Sequence, residues 1–243
     1  MPVTASAQHQ QKLLELAAVD TKLIQLDHQR LAIPELKTVQ DLEVELGSIE
    51  LKIVAAQTEV SDLTAAQRKA EIDVEQVQTR ITKDQEHLSS GTGSPKDLEN
   101  LQHELGSLAS RLAELEDVEL EVMQQLEDAK NALAELTTDK DLVAIKLADT
   151  RKSLELKLTE LEQQISDQQS ERQKILQDTP TDLAELYEKI RSDRGDVGAA
   201  ELKNGACQGC HLSLDAAELN RIKELSVETV VRCDECRRIL VRN

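Results

Sequence analysis

The chain has 243 residues, of which 31% are charged, and it contains one tyrosine but no phenylalanine or tryptophan. Because aromatic side chains dominate the burial of globular cores, this composition excludes one large conventional core and is typical of long helices and coiled coils. The net charge of −18 lies wholly in residues 1–200, so this part should repel nucleic-acid backbones and anionic membrane surfaces.

The first predicted element is a long helical arm. From Val39 to Leu88 apolar residues recur at alternating steps of three and four, with polar interruptions at Gln67 and Asp84. A mean spacing of 3.5 sustained over seven heptads predicts a left-handed coiled coil. Four leucines before this stretch have the same character: Leu13, Leu16, Leu23 and Leu26.

Two interruptions divide the helical region. Pro34 removes a helical hydrogen bond, which predicts a kink or short break near residues 32–34 that we interpret as a plain helix boundary. Residues 89–95 form the only Gly/Pro/Ser cluster in the first 178 residues, and such a cluster breaks a helix. Ser94 should cap the following helix, with Pro95 at its first position.

A second arm with the same spacing runs from Leu98 to Ile175 and should end near Gln177. Two nearly equal arms around one sharp break predict an antiparallel hairpin with its tip near residues 89–95. A parallel coiled coil between chains is the alternative, but it would gain nothing from a break at the midpoint. Residues 1–178 are therefore predicted to form the hairpin domain, and residues 179–243 a second domain.

The second domain should begin with a short helix and continue as a small sheet. Thr179 and Pro180 are expected to cap a helix from Thr181 to about Ile190, whose apolar face, with Tyr187, packs the hairpin onto the terminal domain. After this helix we predict a loop at 191–198, a strand at 199–202 and an Asn204-Gly205 hairpin turn. A helix at 215–225 and strands at 229–232 and 237–242 should follow.

The four cysteines of the chain form two C-x-x-C pairs 22 residues apart: Cys207, Cys210, Cys233 and Cys236. Each pair can direct two thiolates at one ion, and two pairs supply the closed tetrahedral sulfur site that suits one structural zinc. A redox-active C-x-x-C is the alternative, but it would follow a strand in a βαβ unit, which the upstream pattern does not indicate. Forty residues cannot build a conventional core, so zinc should supply much of the folding free energy of this domain.

These features together resemble a family of bacterial proteins with a long helical hairpin and a C-terminal C4-type zinc ribbon. The resemblance rests on the two cysteine pairs, on the Arg-Arg-Ile-Leu sequence after Cys236, and more loosely on residues 96–105 at the tip. The second pair of the family usually carries glycine where this chain has Arg237. The resemblance implies a mainly α fold and a non-enzymatic adaptor, with links in some relatives to flagellar or type III secretion systems, an alternative sigma factor or RNA.

Two functional hypotheses follow. The first is a non-catalytic scaffold that binds protein partners through the hairpin and the ribbon. The second is binding of RNA or DNA through arginines near the second cysteine pair: Arg232, Arg237, Arg238 and Arg242. Residues 201–243 hold seven acidic and seven basic residues and no aromatic one, which weakens the second hypothesis.

Other classes of function are not indicated. Four cysteines fill the zinc coordination shell, so no enzyme, catalytic residue or small-molecule substrate is predicted. His211, beside Cys210, is interpreted as a solvated residue or one that contacts the site without binding the ion. The sequence has no signal peptide and no membrane span, and metal-binding thiolates fit a reducing compartment, which predicts a cytoplasmic protein. Whether two hairpins associate is left open.

Overall fold

The computed structural model describes residues 3–242. Three long helices occupy most of the chain: α1 (Ala7–Leu31), α2 (Pro34–Ser90) and α3 (Pro95–Gln177). The break between α1 and α2 lies at the predicted proline, and α3 ends at the predicted residue. The fold is 78% helical with a long helical hairpin followed by short strands and a short helix, which confirms the predicted fold class.

The contact seam of the hairpin follows the predicted heptads. Along α2 the less exposed side chains step by three and four from Val39 to Leu88, and they include both Gln67 and Asp84. Asp84 is buried and accepts a hydrogen bond of 3.0 Å from Arg80. Ion pairs also join α2 to α3, from Arg80 to Glu104 at 3.0 Å and from Lys140 to Glu50 at 3.9 Å. Their positions run in opposite directions along the two helices, so the pairing is antiparallel.

A reciprocal cap closes the tip of the hairpin. The backbone N–H of Ser94 donates to the Asp97 carboxylate at 3.0 Å, and the N–H of Asp97 donates to the Ser94 hydroxyl at 3.3 Å. Hydrogen bonds from the hydroxyl and N–H of Ser94 lower the pKa of Asp97. This is a capping box with aspartate as its acid, and it confirms the predicted cap.

The described residues divide into two compact units. The hairpin unit is Thr38–Thr150, and the head unit comprises the residues up to Lys37 and those from Arg151 onward. In the head unit, Leu13 and Leu16 of α1 are fully buried in a cluster with strand residues such as Ile239. The same cluster contains Ile175, a predicted seam residue of the second arm, so Leu13 and Leu16 lie between the helices and the sheet. The domain boundary after residue 178 stays a prediction.

Helix α4 (Thr181–Arg194) is longer than predicted. It continues to Gly195, whose left-handed φ of 77° ends it, so the first half of the predicted loop at 191–198 is helical instead. The proposed Thr179 cap is also wrong. Its hydroxyl donates backwards to the carbonyl of Ile175 at 2.7 Å, and Pro180 at the N-cap position makes no side-chain capping bond.

The small sheet has four strands: β1 (Ala199–Lys203), β2 (Ala206–Cys207), β3 (Val231–Arg232) and β4 (Ile239–Arg242). Their order is β2-β1-β4-β3, and β1 and β4 are parallel while the other pairs are antiparallel. Asn204 and Gly205 have φ values of 51° and 76° and make the predicted tight turn. Asp215 is the N-cap of helix α5 (Ala216–Glu224), and its side chain accepts a hydrogen bond from the N–H of Glu218.

Candidate metal centre and the surface around it

The two cysteine pairs adopt the same local structure. In the first turn the N–H of His211 donates to the carbonyl of Cys207 at 2.8 Å, and in the second the N–H of Arg237 donates to that of Cys233 at 2.8 Å. The residue after each pair has a left-handed φ, 59° at His211 and 66° at Arg237. The sequence therefore folds into two equivalent turns that present four thiols to a common centre.

The spacing of the sulfur atoms fits a tetrahedral zinc ion. All four Sγ atoms lie within 4.8 Å of one another, with 3.8 Å between Cys207 and Cys236 and 3.9 Å between Cys210 and Cys233. Four ligands at a Zn–S distance of 2.3 Å would be about 3.8 Å apart, whereas a disulfide needs about 2.05 Å. The donor set thus fits one structural zinc, and these four cysteines are the residues that would hold it. His211 is exposed.

Burial and hydrogen bonding set the thiols apart. Burial raises the pKa of the Cys207 thiol to about 12. At Cys236 burial also raises the pKa. Hydrogen bonds from the backbone and side chain of Arg238 and from neighbouring thiols outweigh this effect and lower the pKa to about 7. A buried cluster of thiolates is stable only with cationic partners, and a divalent ion is the strongest such partner.

Arg238 lies inside the head rather than on its surface. It is 3% exposed, pairs with Asp196 and donates from Nε to the carbonyl of Val197 at 3.1 Å. A Cβ atom at Gly209 would lie 2.8 Å from the Cδ of Arg238, so the glycine of the first C-x-G-C turn makes room for this side chain. Arg238 supports the cysteine turns and does not offer its guanidinium to a partner.

Arg242 is also used within the fold. Its guanidinium donates at 2.8–3.3 Å to carbonyl groups in the last turn of α5 and in the segment between α5 and β3, which are those of Ile222, Leu225, Ser226, Val227 and Thr229. Of the four arginines expected to contact partners, only Arg232 and Arg237 are exposed. Their role as contacts stays a prediction.

The structure adds two cations that the sequence analysis missed. Lys189 and Arg194 of α4 are exposed, and they line a groove of about 380 Å³ together with Arg232 and Arg237. We call these four side chains the cationic groove. Leu186, Ile190 and Cys236 also line it, and Asp193 and Glu235 are its acidic members. A helix extended to Gly195, with basic residues in its last turn, is the signal that could have found Arg194.

A buried carboxylate joins three helices of the head unit. Asp20 of α1 is 0% exposed and accepts 2.7 Å hydrogen bonds from Arg172 of α3 and from the hydroxyl of Tyr187 in α4. Arg191 of α4 forms an ion pair with it at 3.1 Å. Burial and the adjacent carboxylate raise the pKa of Tyr187 well above its usual range. The prediction that Tyr187 is a packing residue is confirmed, and the network fixes the helices that carry the ribbon.

A long helical hairpin that carries a four-cysteine ribbon defines a class of proteins built from two modules that are known in structural and binding roles. The chain belongs to the family defined by the CT398-like coiled coil hairpin domain, whose model matches residues 16–195. Residues 206–240 match the C4-type zinc ribbon domain. The resemblance inferred from the cysteine pairs and the heptads is therefore confirmed.

Full-length relatives share this organisation. A Mycobacterium tuberculosis protein is 31% identical over 238 residues, 98% of this chain and 97% of the relative. A solved Mycobacterium smegmatis structure is 30% identical with a TM-score of 0.84 and covers 99% of this chain and 100% of its own. The structure of CT398 from Chlamydia trachomatis has a TM-score of 0.67 at 17% identity, over 97% of this chain and 98% of its own, which shows the shared fold.

Among residues 3–242, every helix is too short or too polar to cross a lipid bilayer. The cytoplasmic location stays a prediction.

Proposed function

We propose that this protein is a non-enzymatic adaptor that binds partner macromolecules through its hairpin and its zinc-ribbon head. The observation that carries the proposal is the complete sulfur cage. Four cysteines with mutual Sγ distances within 4.8 Å occupy every position around a tetrahedral zinc, so no position is left for water or substrate. The ion would then hold the shape of the head rather than perform chemistry.

The cationic groove supports a binding role for the head. Its four cations lie on α4 and around the second cysteine turn, on elements that the zinc site and the buried Asp20 network hold in place. A rigid patch of net positive charge favours an acidic partner surface and accelerates its association. The link to secretion, flagellar or transcription machinery stays a prediction.

A charge-removal experiment on the full chain tests the role of the head. Lys189→Ser combined with Arg232→Ser should abolish retention of partners that depend on the groove, because both side chains are exposed and their loss leaves the core intact. The matched control is Lys130→Ser with Lys146→Ser, which removes two exposed lysines of the hairpin unit. Equal retention by both double variants in a quantitative pull-down would show that the groove does not bind.

Nucleic-acid binding is the second candidate, and the clustering of four cations favours it. If all four contact phosphates of a single-stranded RNA, affinity should fall roughly 50-fold between 50 and 200 mM salt. Lys189→Ser with Arg232→Ser should weaken binding and flatten that dependence. A fluorescence-anisotropy titration that detects no binding of RNA or DNA at 50 mM salt would eliminate this candidate while leaving the adaptor proposal intact.

A further inference from the structure

The outer face of α2 carries apolar residues where a coiled coil is normally polar. Halfway between the seam residues, on the side of the helix that faces away from α3, every seventh residue is uncharged. These residues are Val44, Leu51, Thr58, Ala65 and Ile72. Val44 and Leu51 are 70% and 75% exposed, and Val54 beside them is 60% exposed. We call Val44, Gly47, Leu51 and Val54 the outer stripe.

The corresponding positions of α3 have the ordinary chemistry of a solvated helix. They are Asp117, Gln124, Asn131, Thr138 and Ile145, of which only the last is a large apolar residue. Exposed apolar residues also lie beside these positions of α3, namely Val118, Leu120, Met123 and Leu142. The outer stripe differs from them because a glycine, Gly47, lies between its apolar residues. Exposed apolar residues clustered in this way mark interaction surfaces.

Gly47 gives the outer stripe a second distinctive feature. Glycine inside a helix costs up to about 1 kcal/mol relative to alanine. A Cβ atom at this position would meet nothing within 4 Å, so packing within the described residues does not require glycine. A missing side chain between exposed Val44 and Leu51 lets the backbone of another helix come closer, because the distance between packed helices depends on the side chains at the contact.

Charge decides what can occupy the outer stripe. Residues 38–54, which include the whole outer stripe, contain one basic residue, Lys52, and four acids: Asp41, Glu43, Glu45 and Glu50. The whole hairpin unit, residues 38–150, has 25 acidic and 10 basic side chains and a net charge of −15. A second copy would bring an equal negative charge against it, which costs free energy at close range. A positively charged helix would instead gain from both the apolar contact and the charge.

We propose that the outer stripe binds an amphipathic helix of another protein, with apolar residues at helical spacing flanked by Lys and Arg. This mode of binding places an apolar helix face on a complementary helical surface. The proposal rests on the proposed adaptor function and specifies the partner chemistry of the hairpin. Gly47 is the position of closest approach.

Photo-cross-linking in the native cells tests the proposal on the full chain. A photoreactive amino acid replaces Leu51 in the outer stripe, Gln124 on the outer face of α3, or Lys189 in the cationic groove, and cross-linked segments are sequenced by mass spectrometry. Position 51 should capture a segment of net positive charge with apolar residues spaced by three and four. Gly47→Leu should reduce the yield of that product at least fivefold. Because leucine favours the helix more than glycine does, the same substitution should not lower the melting temperature of the hairpin. Gly106→Leu, at another open glycine inside a helix, should leave the product unchanged.

Three results would overturn the proposal. Position 51 could cross-link to a second copy of this chain, it could give no more product than position 124, or its product could persist in Gly47→Leu. Products at position 189 with none at position 51 would reject the outer stripe while supporting the adaptor function. The absence of a cross-linked product at positions 51 and 189 would count against both the outer stripe and the adaptor function.

Discussion

Arg237 occupies a backbone conformation that costs a non-glycine residue free energy. Its φ is 66°, and the left-handed region is less favourable by about 1–2 kcal/mol for a residue with a Cβ atom. The fold holds it there because its N–H must reach the carbonyl of Cys233. Arg237 is thus a strained position in this chain.

Arg237→Gly should therefore stabilise the zinc-loaded protein. Relief of the left-handed strain exceeds the entropy that glycine adds to the unfolded chain, so the gain should be about 0.5–1 kcal/mol. The midpoint of urea unfolding of the head measures it, and Arg237→Ala is the matched control that removes the charge but keeps the strain. A lower midpoint for Arg237→Gly than for Arg237→Ala would contradict the strain argument.

Asp20 presents the opposite situation, a buried charge that its partners stabilise. Asp20→Ala should destabilise the head by about 3–5 kcal/mol, because it leaves Arg172 and Arg191 without their buried counter-ion. Tyr187→Phe removes only one hydrogen bond to that carboxylate and should cost about 1.5–3 kcal/mol. Urea unfolding of both variants provides the comparison, and a smaller loss in Asp20→Ala than in Tyr187→Phe would refute this ranking.

The Asp20 network should also make the stability of the head depend on pH in the alkaline range. The folded-state pKa of Tyr187 is raised by burial and by Asp20, above its value of about 10 in the unfolded chain. The stability that the Tyr187 hydroxyl contributes is therefore complete below about pH 10, and it is lost as pH rises through the folded-state pKa. The stability difference between wild type and Tyr187→Phe should narrow when unfolding is measured above pH 10.

At the scale of elements, periodicity predicted the features that depend on local sequence. It missed the contacts between residues that lie far apart along the chain. The heptads located the seams, and the Gly/Pro/Ser cluster between two nearly equal arms located the tip and predicted the antiparallel pairing. The cluster that Leu13 and Leu16 form with strand β4 was not predicted, because a leucine at helical spacing looks the same whether it packs on a helix or on a strand. Asp20 was overlooked because one of the arginines that stabilise it lies 152 residues away.

The sulfur site was predicted more completely than the surface around it. Two C-x-x-C turns bring their ligands together through short-range geometry, so spacing alone identified all four thiols. The exposed or buried state of an arginine depends instead on tertiary contacts. Spacing gave no reason to expect Arg238 beneath Gly209 or Arg242 against the carbonyls at the end of α5.

The polar residues in the seam of α2 allow a test of the coiled coil itself. Gln67 lies in the seam and its side-chain amide donates to Glu71 at 2.8 Å, so it contributes little apolar burial. Gln67→Leu should stabilise the hairpin by about 1 kcal/mol, because a polar residue at such a position lowers stability. Gln78→Leu, at an exposed position of the same helix, should have almost no effect on the melting temperature. Equal shifts in the two variants would mean that the seam does not stabilise the hairpin.

At the scale of the whole molecule, the zinc ion and α1 should depend on each other for stability. The buried cluster of the head unit combines residues of α1, α3 and α4 with β1 and β4, and a second cluster joins the cysteines to Leu240 and Ile222. The strands contribute to both, so loss of the ion should weaken α1 as well as the ribbon. The hairpin unit has a seam and ion pairs of its own and should remain folded.

Removal of zinc with a strong chelator, followed by hydrogen–deuterium exchange, tests this coupling. Backbone amides of β1 and β4 should lose protection first, because metal binding supplies much of the folding free energy of so small a sheet. Amides around Leu13 and Leu16 should lose protection with them, and those of residues 50–140 should keep it. Restoring about one zinc per chain should recover the original pattern. Retained protection around Leu13 and Leu16 after the sheet has opened would show that α1 is held by the helices alone, through Asp20, Ile175 and Leu183, and that the strands add nothing to its stability.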